Sequence, residues 1–225
     1  MAQTRIKICG VRDVETARVA ADAGAQFFGL VFAERSPRQV TVDDANRIIE
    51  GVAGKGGEAA CQPVALFADQ SIDCIARTLS DLATQPIVQL HGHEDRAFVD
   101  AVADLGVSVF KAAPCDVRRI DAWRDAPACV RALLIDTPPN PCDLTGGTGR
   151  AFDWSVLKGL DRAGLPPIML AGGLTPANVA DAVRAVGPWA VDVSSGVESS
   201  RGVKDHAKIR AFCDAVRAVD QGMGA

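Results

Sequence analysis

Short apolar runs alternate along the whole chain with longer segments in which apolar residues recur at helical spacing. The runs that predict strands are Ile6–Cys9, Phe27–Phe32, Pro63–Ala68, Ile87–Leu90, Val107–Ala112, Ala132–Asp136, Ile168–Ala171 and Ala190–Val193. Between them lie alanine-rich amphipathic stretches that predict helices, among them Val14–Ala23, Ile72–Leu82, Phe98–Leu105 and Ala177–Val186. Strict alternation of strand and helix is typical of parallel strands joined by right-handed crossovers.

Residues at the predicted helix boundaries agree with this alternation. Side chains that can accept hydrogen bonds from free first-turn amides precede several helical stretches. The predicted N-caps are Asp13, Ser71, Asp205 and Thr175, the last followed by a first-turn proline. The glycines expected to end helices are Gly24, Gly51, Gly106 and Gly187.

Eight strand–helix units predict a closed (β/α)₈ barrel, and a chain of 225 residues is within the usual size of this α/β fold. No linker, repeat or low-complexity tract divides the chain, so we expect residues 1–225 to form one catalytic domain. The main alternative is an open doubly wound sheet. It is disfavoured because the segment after the first strand, Cys9–Arg12, lacks the GxGxxG pattern.

Composition restricts the possible partners and the compartment. A formal net charge of −4 argues against a large nucleic-acid or anionic-membrane surface. The N-terminus has no secretory signal, and no window approaches the roughly 20 apolar residues of a spanning helix. Seven scattered cysteines without CxxC pairs indicate free thiols in a reducing cytoplasm and no metal site. The sequence leaves open whether the protein is a monomer or a homodimer.

Strand alternation indicates which polar side chains enter the barrel. Ile6 and Ile8 should face the helices, so Lys7 and Cys9 should point inward. The same reasoning turns Gln89 and His91 inward, as well as Asp192 and Ser194. An inward lysine requires a carboxylate partner, and in a closed barrel the last strand pairs with the first. We therefore expect Lys7 to pair with Asp192.

Two glycine-bearing strand ends indicate a phosphate site. Gly172 and Gly173 end the seventh strand, and Ser194, Ser195 and Gly196 end the eighth. In barrels, the loops after these strands often bind phosphate together with a short extra helix, because glycines let backbone amides approach the anion. Gly147, within the segment 146–149, is a further candidate for phosphate binding.

Taken in order, several segments resemble the successive signatures of phosphoribosylanthranilate isomerases. They are Lys7–Gly10, Ser36–Arg38, Val88–Gly92, Gly146–Gly149, Phe152–Trp154, Leu170–Leu174, Asp192–Glu198 and Gly202–Asp205. The resemblance covers nearly the whole chain. It implies a (β/α)₈ fold, no metal or organic cofactor, a small phosphoribosyl substrate and an Amadori rearrangement in tryptophan biosynthesis.

The resemblance also implies roles for individual residues. Cys9 falls on the family's general base, Asp136 on its general acid, and Arg38 on the arginine that binds the anthranilate carboxylate. We expect burial to raise the pKa of Asp136 and the neighbouring Lys7 to lower the pKa of the Cys9 thiol. Gln89, His91 and Asp192 are expected to contact the substrate, and His91 is the alternative base.

Three other functions were weighed against this one. A ribulose-phosphate epimerase would need metal-ligand histidines and paired aspartates at strand ends, a set that the sequence does not contain. Indoleglycerol-phosphate synthase would need a lysine acid and glutamates at these positions. A non-catalytic phosphosugar-binding barrel would have no reason to keep an inward cysteine and aspartate on separate strands with a carboxylate-binding arginine.

Overall fold

The computed structural model describes residues 3–52, 61–136 and 154–222. Within them, eight parallel strands close into a barrel in sequential order, with β1 hydrogen-bonded to both β2 and β8. The predicted (β/α)₈ fold is therefore confirmed, and the open-sheet alternative is excluded. Each of the eight predicted strands is present, with ends displaced by at most a few residues.

The barrel strands are β1 (Arg5–Cys9), β2 (Phe27–Val31), β3 (Gln62–Phe67), β4 (Ile87–Leu90), β5 (Val109–Pro114), β6 (Val130–Asp136), β7 (Ile168–Leu170) and β8 (Ala190–Val193). The helices around them are α1 (Val14–Asp22), α2 (Val42–Val52), α3 (Ile72–Ser80), α4 (Arg96–Ala103), α5 (Val117–Asp121), α6 (Ser155–Lys158), α7 (Val179–Val186) and α8 (His206–Gly222).

The barrel interior changes character from one end to the other. At the N-terminal end, Phe27 and Phe110 meet edge to face with ring centroids 5.3 Å apart, and Trp189 packs on both rings. Towards the C-terminal end the inward positions become polar, beginning with Lys7 and Gln89, both fully buried. Apolar packing thus closes the bottom of the barrel, and chemistry-bearing side chains occupy its mouth.

Three of the four predicted N-caps are confirmed. Asp13 accepts from Thr16 N at 2.7 Å, Ser71 from Cys74 N at 3.3 Å and Asp205 from Lys208 N at 3.0 Å. The prediction for Thr175 is wrong, because α7 begins at Val179. The side chain of Asn178 reaches back to accept from Thr175 N at 2.8 Å, so Pro176 lies in a turn before the helix.

The prediction that Gly51 ends a helix is also wrong, whereas Gly24, Gly106 and Gly187 follow helices with positive φ, as expected. Gly51 lies inside α2, at the contact between α2 and α1. A Cβ there would lie 2.3 Å from a methyl carbon of Val14. Gly51 therefore serves close helix packing, which helical periodicity alone does not reveal.

The segment after β8 contains structure that the strand count did not predict. A short 3₁₀ helix, Ser195–Val197, is followed by a two-stranded antiparallel hairpin of β9 (Glu198–Ser200) and β10 (Val203–Lys204). This hairpin lies outside the barrel sheet and leads into α8. No helix in the described parts of the chain is long and apolar enough to cross a membrane.

Candidate active site

The pairing predicted for the inward lysine is confirmed. Lys7 lies opposite Asp192 in the β1–β8 register, and its Nζ donates to Asp192 Oδ1 at 2.8 Å. Burial works against the charge of Lys7, but Asp192 and Cys9 raise the pKa of Lys7 above its ordinary value. The charged ammonium form of Lys7 is therefore favoured although the side chain is fully buried.

Cys9 ends β1 at the mouth and is buried, with 6% of its surface exposed. Gly29 on β2 lies opposite it in register, and a Cβ there would lie 2.9 Å from Cys9 Sγ and 3.3 Å from Lys7 Nζ. The thiol and the ammonium group thus both lie in the space that a side chain at Gly29 would occupy. Gly29 was missed by the sequence analysis, because a glycine within an apolar strand carries no chemical signal.

The predicted lowering of the Cys9 pKa is wrong in its net direction. Burial raises the pKa of the Cys9 thiol above its ordinary value, and Lys7 and Lys204 offset that increase only in part. Asp192, which neutralises Lys7, raises the thiol pKa further. A neighbouring cation lowers a thiol pKa, but the net shift is upward when desolvation and nearby carboxylates raise the pKa by more.

Gln89, His91 and Asp136 form a hydrogen-bonded chain across the mouth. Gln89 Nε2 lies 2.8 Å from His91 Nδ1, and His91 Nε2 lies 3.2 Å from Asp136 Oδ2. With the amide donating, Nδ1 is the acceptor, so a neutral His91 carries its proton on Nε2 and donates it to Asp136. Gln89 Oε1 is buried and has no hydrogen-bond partner among the described residues.

Asp136 is half-buried by the residues that the structure describes. Asp136 ends β6 at the mouth, and 43% of its side chain is exposed. The loop that follows, residues 137–153, lies outside the described residues, and so does Gly147. The strand-end position of Asp136 is thus as predicted, and the described residues bury its side chain only in part.

Arg38 makes an ion pair that sequence reasoning did not anticipate. Its Nε donates to Glu198 Oε1 at 2.6 Å and its Nη2 to Glu198 Oε2 at 2.9 Å. The arginine stem lies against Gly10, where a Cβ would be 2.5 Å from Arg38 Cδ. Arg38 is thereby held beside the end of β1, although it comes from the loop after β2.

Lys204 links this pair to the loop after β8. Its Nζ donates to Glu198 Oε1 at 3.0 Å and to Ser194 O at 2.9 Å, and Ser194 Oγ donates to the Cys9 carbonyl at 3.1 Å. Burial raises the pKa of Glu198, but Arg38, the Gly202 amide and Lys204 together lower it to about 2. Glu198 and Lys204 both fall within motifs that the sequence analysis quoted, and it assigned them no role.

The predicted phosphate-binding residues meet at the ends of β7 and β8. Gly172 and Gly173 both have positive φ, and Ser195 and Gly196 lie in the 3₁₀ helix after β8. A Cβ at Gly196 would lie 1.8 Å from the Leu174 carbonyl oxygen, so the two loops are in direct backbone contact. The hydroxyl of Ser194 donates to the Cys9 carbonyl and is therefore not free to donate to an anion.

Among the described residues, no group of three or more histidine, cysteine, aspartate or glutamate side chains is arranged to hold a metal ion. The six described cysteines are free. The chemical groups at the mouth are therefore a buried thiol, a partly exposed carboxylate with its histidine, and cations paired with carboxylates.

A closed eight-stranded barrel with these groups at its C-terminal mouth defines a (β/α)₈-barrel enzyme. A family model described as N-(5'phosphoribosyl)anthranilate (PRA) isomerase matches residues 6–215. The chain belongs to this family.

Curated relatives support the assignment. An N-(5'-phosphoribosyl)anthranilate isomerase of Paramagnetospirillum magneticum is 45% identical over 215 residues, which cover 94% of this chain and 96% of that protein. One from Pseudomonas fluorescens is 42% identical over 222 residues, covering 96% of this chain and 100% of that protein.

Solved structures agree. Phosphoribosyl anthranilate isomerase from Thermotoga maritima superposes with a TM-score of 0.82 at 32% identity, covering 96% of this chain and 100% of that chain. A phosphoribosyl anthranilate isomerase in complex with reduced 1-(o-carboxyphenylamino)-1-deoxyribulose 5-phosphate has a TM-score of 0.79 at 30% identity, with the same coverage. The predicted family and isomerase class are confirmed.

Proposed function

We propose that this isomerase converts N-(5-phosphoribosyl)anthranilate into 1-(2-carboxyphenylamino)-1-deoxy-D-ribulose 5-phosphate, with Asp136 as general acid and Cys9 as general base. One observation carries the assignment of roles. A thiol that ends β1 and a carboxylate that ends β6 are at the same mouth, with the aliphatic stem of Arg38 packed beside the end of β1. The structural relative that holds the reduced product analogue supports a phosphoribosyl ligand for this barrel.

In the first step, Asp136 delivers a proton to the furanose ring oxygen. The C1–O bond breaks as the nitrogen lone pair forms an iminium, and the ring oxygen becomes the C4 hydroxyl. His91, which Gln89 holds through Nδ1, lies 3.2 Å from Asp136 and orients its carboxyl group. Positioning of the acid is thus the role that best fits His91.

In the second step, Cys9 removes the proton from C2, and the electron pair neutralises the iminium to give an enamine. The thiol then returns that proton to C1 while the C2 hydroxyl gives its own proton to the Asp136 carboxylate, which yields the ketose and restores the acid form of Asp136. Burial keeps the resting thiol protonated, but a thiolate with a raised pKa is also a stronger base once it forms. The cationic iminium and Lys7 both favour its formation.

The two anionic ends of the substrate are assigned to two different sets of donors at the mouth. Arg38 binds the anthranilate carboxylate, and the backbone amides around Gly172, Gly173, Ser195 and Gly196 bind the phosphate. The unpartnered Oε1 of Gln89 supports its contact with a sugar hydroxyl. Asp192 is committed to Lys7 through Oδ1, which confines any contact with the substrate to its remaining oxygen.

Residues 1–225 act as one catalytic domain in the cytoplasm, without a metal or organic cofactor. The free cysteines support a reducing compartment. The protein is a monomer or a homodimer, and one Thermotoga maritima relative is described as dimeric. Neither nucleic acid nor membrane is a partner, in line with the net charge of −4.

Steady-state turnover of freshly generated N-(5-phosphoribosyl)anthranilate, followed by loss of its fluorescence, tests the proposal. The wild type should turn over rapidly, and Cys9→Ser and Asp136→Asn should each lose at least about 1,000-fold in kcat while remaining folded. Cys129→Ser, immediately before β6 and therefore at the N-terminal end of the barrel, is the matched control and should retain full activity. Absence of wild-type turnover would refute the reaction, and activity in Cys9→Ser would make His91 the base.

A further inference from the structure

A triad of charges, Arg38, Glu198 and Lys204, lies buried between the barrel mouth and the β9–β10 hairpin. The Glu198 carboxylate accepts from Arg38 Nε at 2.6 Å, Arg38 Nη2 at 2.9 Å, Lys204 Nζ at 3.0 Å and the Gly202 amide at 3.1 Å. Only 8% of Glu198 is exposed. All the hydrogen-bonding capacity of this carboxylate is thus directed to the arginine, the lysine and the hairpin turn.

The geometry of the Arg38 pair leaves a defined set of donors unused. Glu198 takes the side-on edge of the guanidinium, formed by Nε and Nη2. The end-on edge, formed by Nη1 and the second Nη2 hydrogen, keeps its two parallel donors, and no described residue accepts from Nη1. An arginine can bind one carboxylate on each edge, so Arg38 retains a complete bidentate site.

The stem of Arg38 is also prevented from turning. It packs on Gly10, where even a methyl group would lie 2.5 Å from Cδ. At the other end of the network, Lys204 Nζ is bonded to Ser194 O at 2.9 Å, and Ser194 Oγ donates to Cys9 O at 3.1 Å. Glu198 is therefore tied through Lys204 to the strand end that carries the thiol.

Two cations and one carboxylate leave the triad with one net positive charge. Placing three charged groups in a largely buried position costs more than packing apolar residues of similar size would. A binding role explains why these charges are kept, because the remaining positive charge and the free guanidinium edge can bind an anion. In the proposed function backbone amides bind the phosphate, so the anion assigned to the free edge of Arg38 is the carboxylate at the aromatic end of the substrate.

We propose that Glu198 is a positioning residue that determines specificity for the carboxylated aromatic ring, because it holds Arg38 side-on and presents the end-on edge to the substrate carboxylate. The inference rests on the proposed function, in which Arg38 binds that group. Lys204 keeps Glu198 in place. Without Glu198 the guanidinium would rotate, and Arg38 and Lys204 would repel each other.

Two ligands that differ by one carboxylate test the proposal. The first is reduced 1-(o-carboxyphenylamino)-1-deoxyribulose 5-phosphate, and the second is its phenylamino counterpart without the carboxyl group. Dissociation constants are measured by calorimetry for the wild type and Glu198→Gln. The substitution should weaken the carboxylated ligand by about 30-fold, the range of a charged hydrogen bond, and change the second ligand less than about threefold.

Lys208→Gln is the matched control, because Lys208 Nζ donates at 2.7 Å to the main-chain carbonyl of Glu198 and not to its carboxylate. Both dissociation constants should stay within about threefold of wild type. Glu198→Asp keeps the charge but is one methylene too short for the side-on pair, and should lose part of the selectivity. Retained binding of the ligand without a carboxyl group reports that each variant is folded at the mouth.

Equal weakening of both ligands by Glu198→Gln would reduce Glu198 to a structural support of the hairpin and overturn the proposal. Unchanged affinity for the carboxylated ligand would overturn it as well. A wild type that binds both ligands equally would remove the role of Arg38, and the proposal with it. A wild type that binds neither would instead refute the proposed function itself.

Discussion

Lys7 and Asp192 face each other where the last barrel strand pairs with the first, with 2.8 Å between Nζ and Oδ1. The pair lies directly beneath Cys9, and neither side chain is more than 8% exposed. It therefore serves two purposes at once. It satisfies a buried lysine at the seam of the barrel, and it places an ammonium group beside the thiol proposed as the base.

Replacing Lys7 with methionine should separate these purposes. Lys7→Met leaves Asp192 buried and unpaired, so the free energy of unfolding should fall by about 3–5 kcal/mol in urea titrations. The double variant Lys7→Met/Asp192→Leu should recover most of that loss without recovering kcat, because the ammonium beside Cys9 is still missing. Recovery of activity together with stability would contradict a role for Lys7 at the thiol.

The raised pKa of Cys9 predicts how its reactivity depends on pH. The thiolate is the reactive form, and it predominates only above the pKa, so the rate of Cys9 alkylation should rise about tenfold per pH unit through neutrality. The midpoint should lie above the ordinary value of 9.0. Mass spectrometry after timed iodoacetamide treatment measures it. A midpoint below 8 would mean that Lys7 outweighs burial.

Gln89→Met should expose the role of the Gln89–His91 contact. Methionine keeps the side-chain volume but removes the donor 2.8 Å from His91 Nδ1. The His91 ring is then no longer held in the tautomer with its proton on Nε2, nor in its orientation towards Asp136. We expect kcat to fall about tenfold, the cost of one positioning hydrogen bond, and KM to rise as well, because Oε1 no longer contacts the sugar hydroxyl. Nitrogen NMR should place the His91 proton on Nε2 in the wild type only. Gln85→Met, whose amide bonds Gly106 O away from the mouth, should leave kcat unchanged.

Glu94 and Lys111 form a further buried ion pair, on the outer side of the strands. Their 3.0 Å contact supports the loop after β4, because Glu94 also accepts from the Asp69 and Gly92 amides. Glu94→Ala should cost about 3–5 kcal/mol of unfolding free energy, since Lys111 would remain buried and unpaired. Arg184→Ala breaks the exposed pair with Asp181 and should cost less than about 0.5 kcal/mol. Similar losses in the two variants would contradict the burial argument.

Gly196 and Gly173 should differ sharply in their tolerance of alanine. A Cβ at Gly196 would lie 1.8 Å from Leu174 O, whereas a Cβ at Gly173 meets nothing within 4 Å. Gly196→Ala should push the two phosphate loops apart and raise the inhibition constant of inorganic phosphate at least about tenfold. Gly173→Ala bears only the strain of its positive φ, of the order of 1 kcal/mol, and should weaken phosphate less. The reverse order would relocate the phosphate site.

Much of the site followed from the sequence because the barrel is regular. Once eight strands alternate with helices, the pleat decides which residues point inward, and closure makes β1 and β8 neighbours. Lys7 and Asp192 could therefore be paired although 185 positions separate them along the chain. Local rules worked equally well for Asp13 and Ser71, since an N-cap depends only on the next few residues.

Predictions became wrong where the answer depends on contacts that the local residue pattern does not specify. The sequence pattern predicts a helix end at Gly51, but in the structure Val14 packs against this glycine inside the helix. The sequence pattern predicts Thr175 as an N-cap, but in the structure the side chain of Asn178 accepts a hydrogen bond from the Thr175 amide. In both cases the local pattern was compatible with two structures, and contacts outside the pattern selected one.

The sequence by itself determined the order of strands and helices, the inward register of the mouth and the family, since each depends on residue order and spacing. Only the tertiary structure decided the electrostatics. The pKa of Cys9 is raised because burial and Asp192 outweigh two nearby cations, and Arg38 pairs with a glutamate 160 residues away. Desolvation and Coulomb interactions depend on three-dimensional distance, which sequence spacing does not encode.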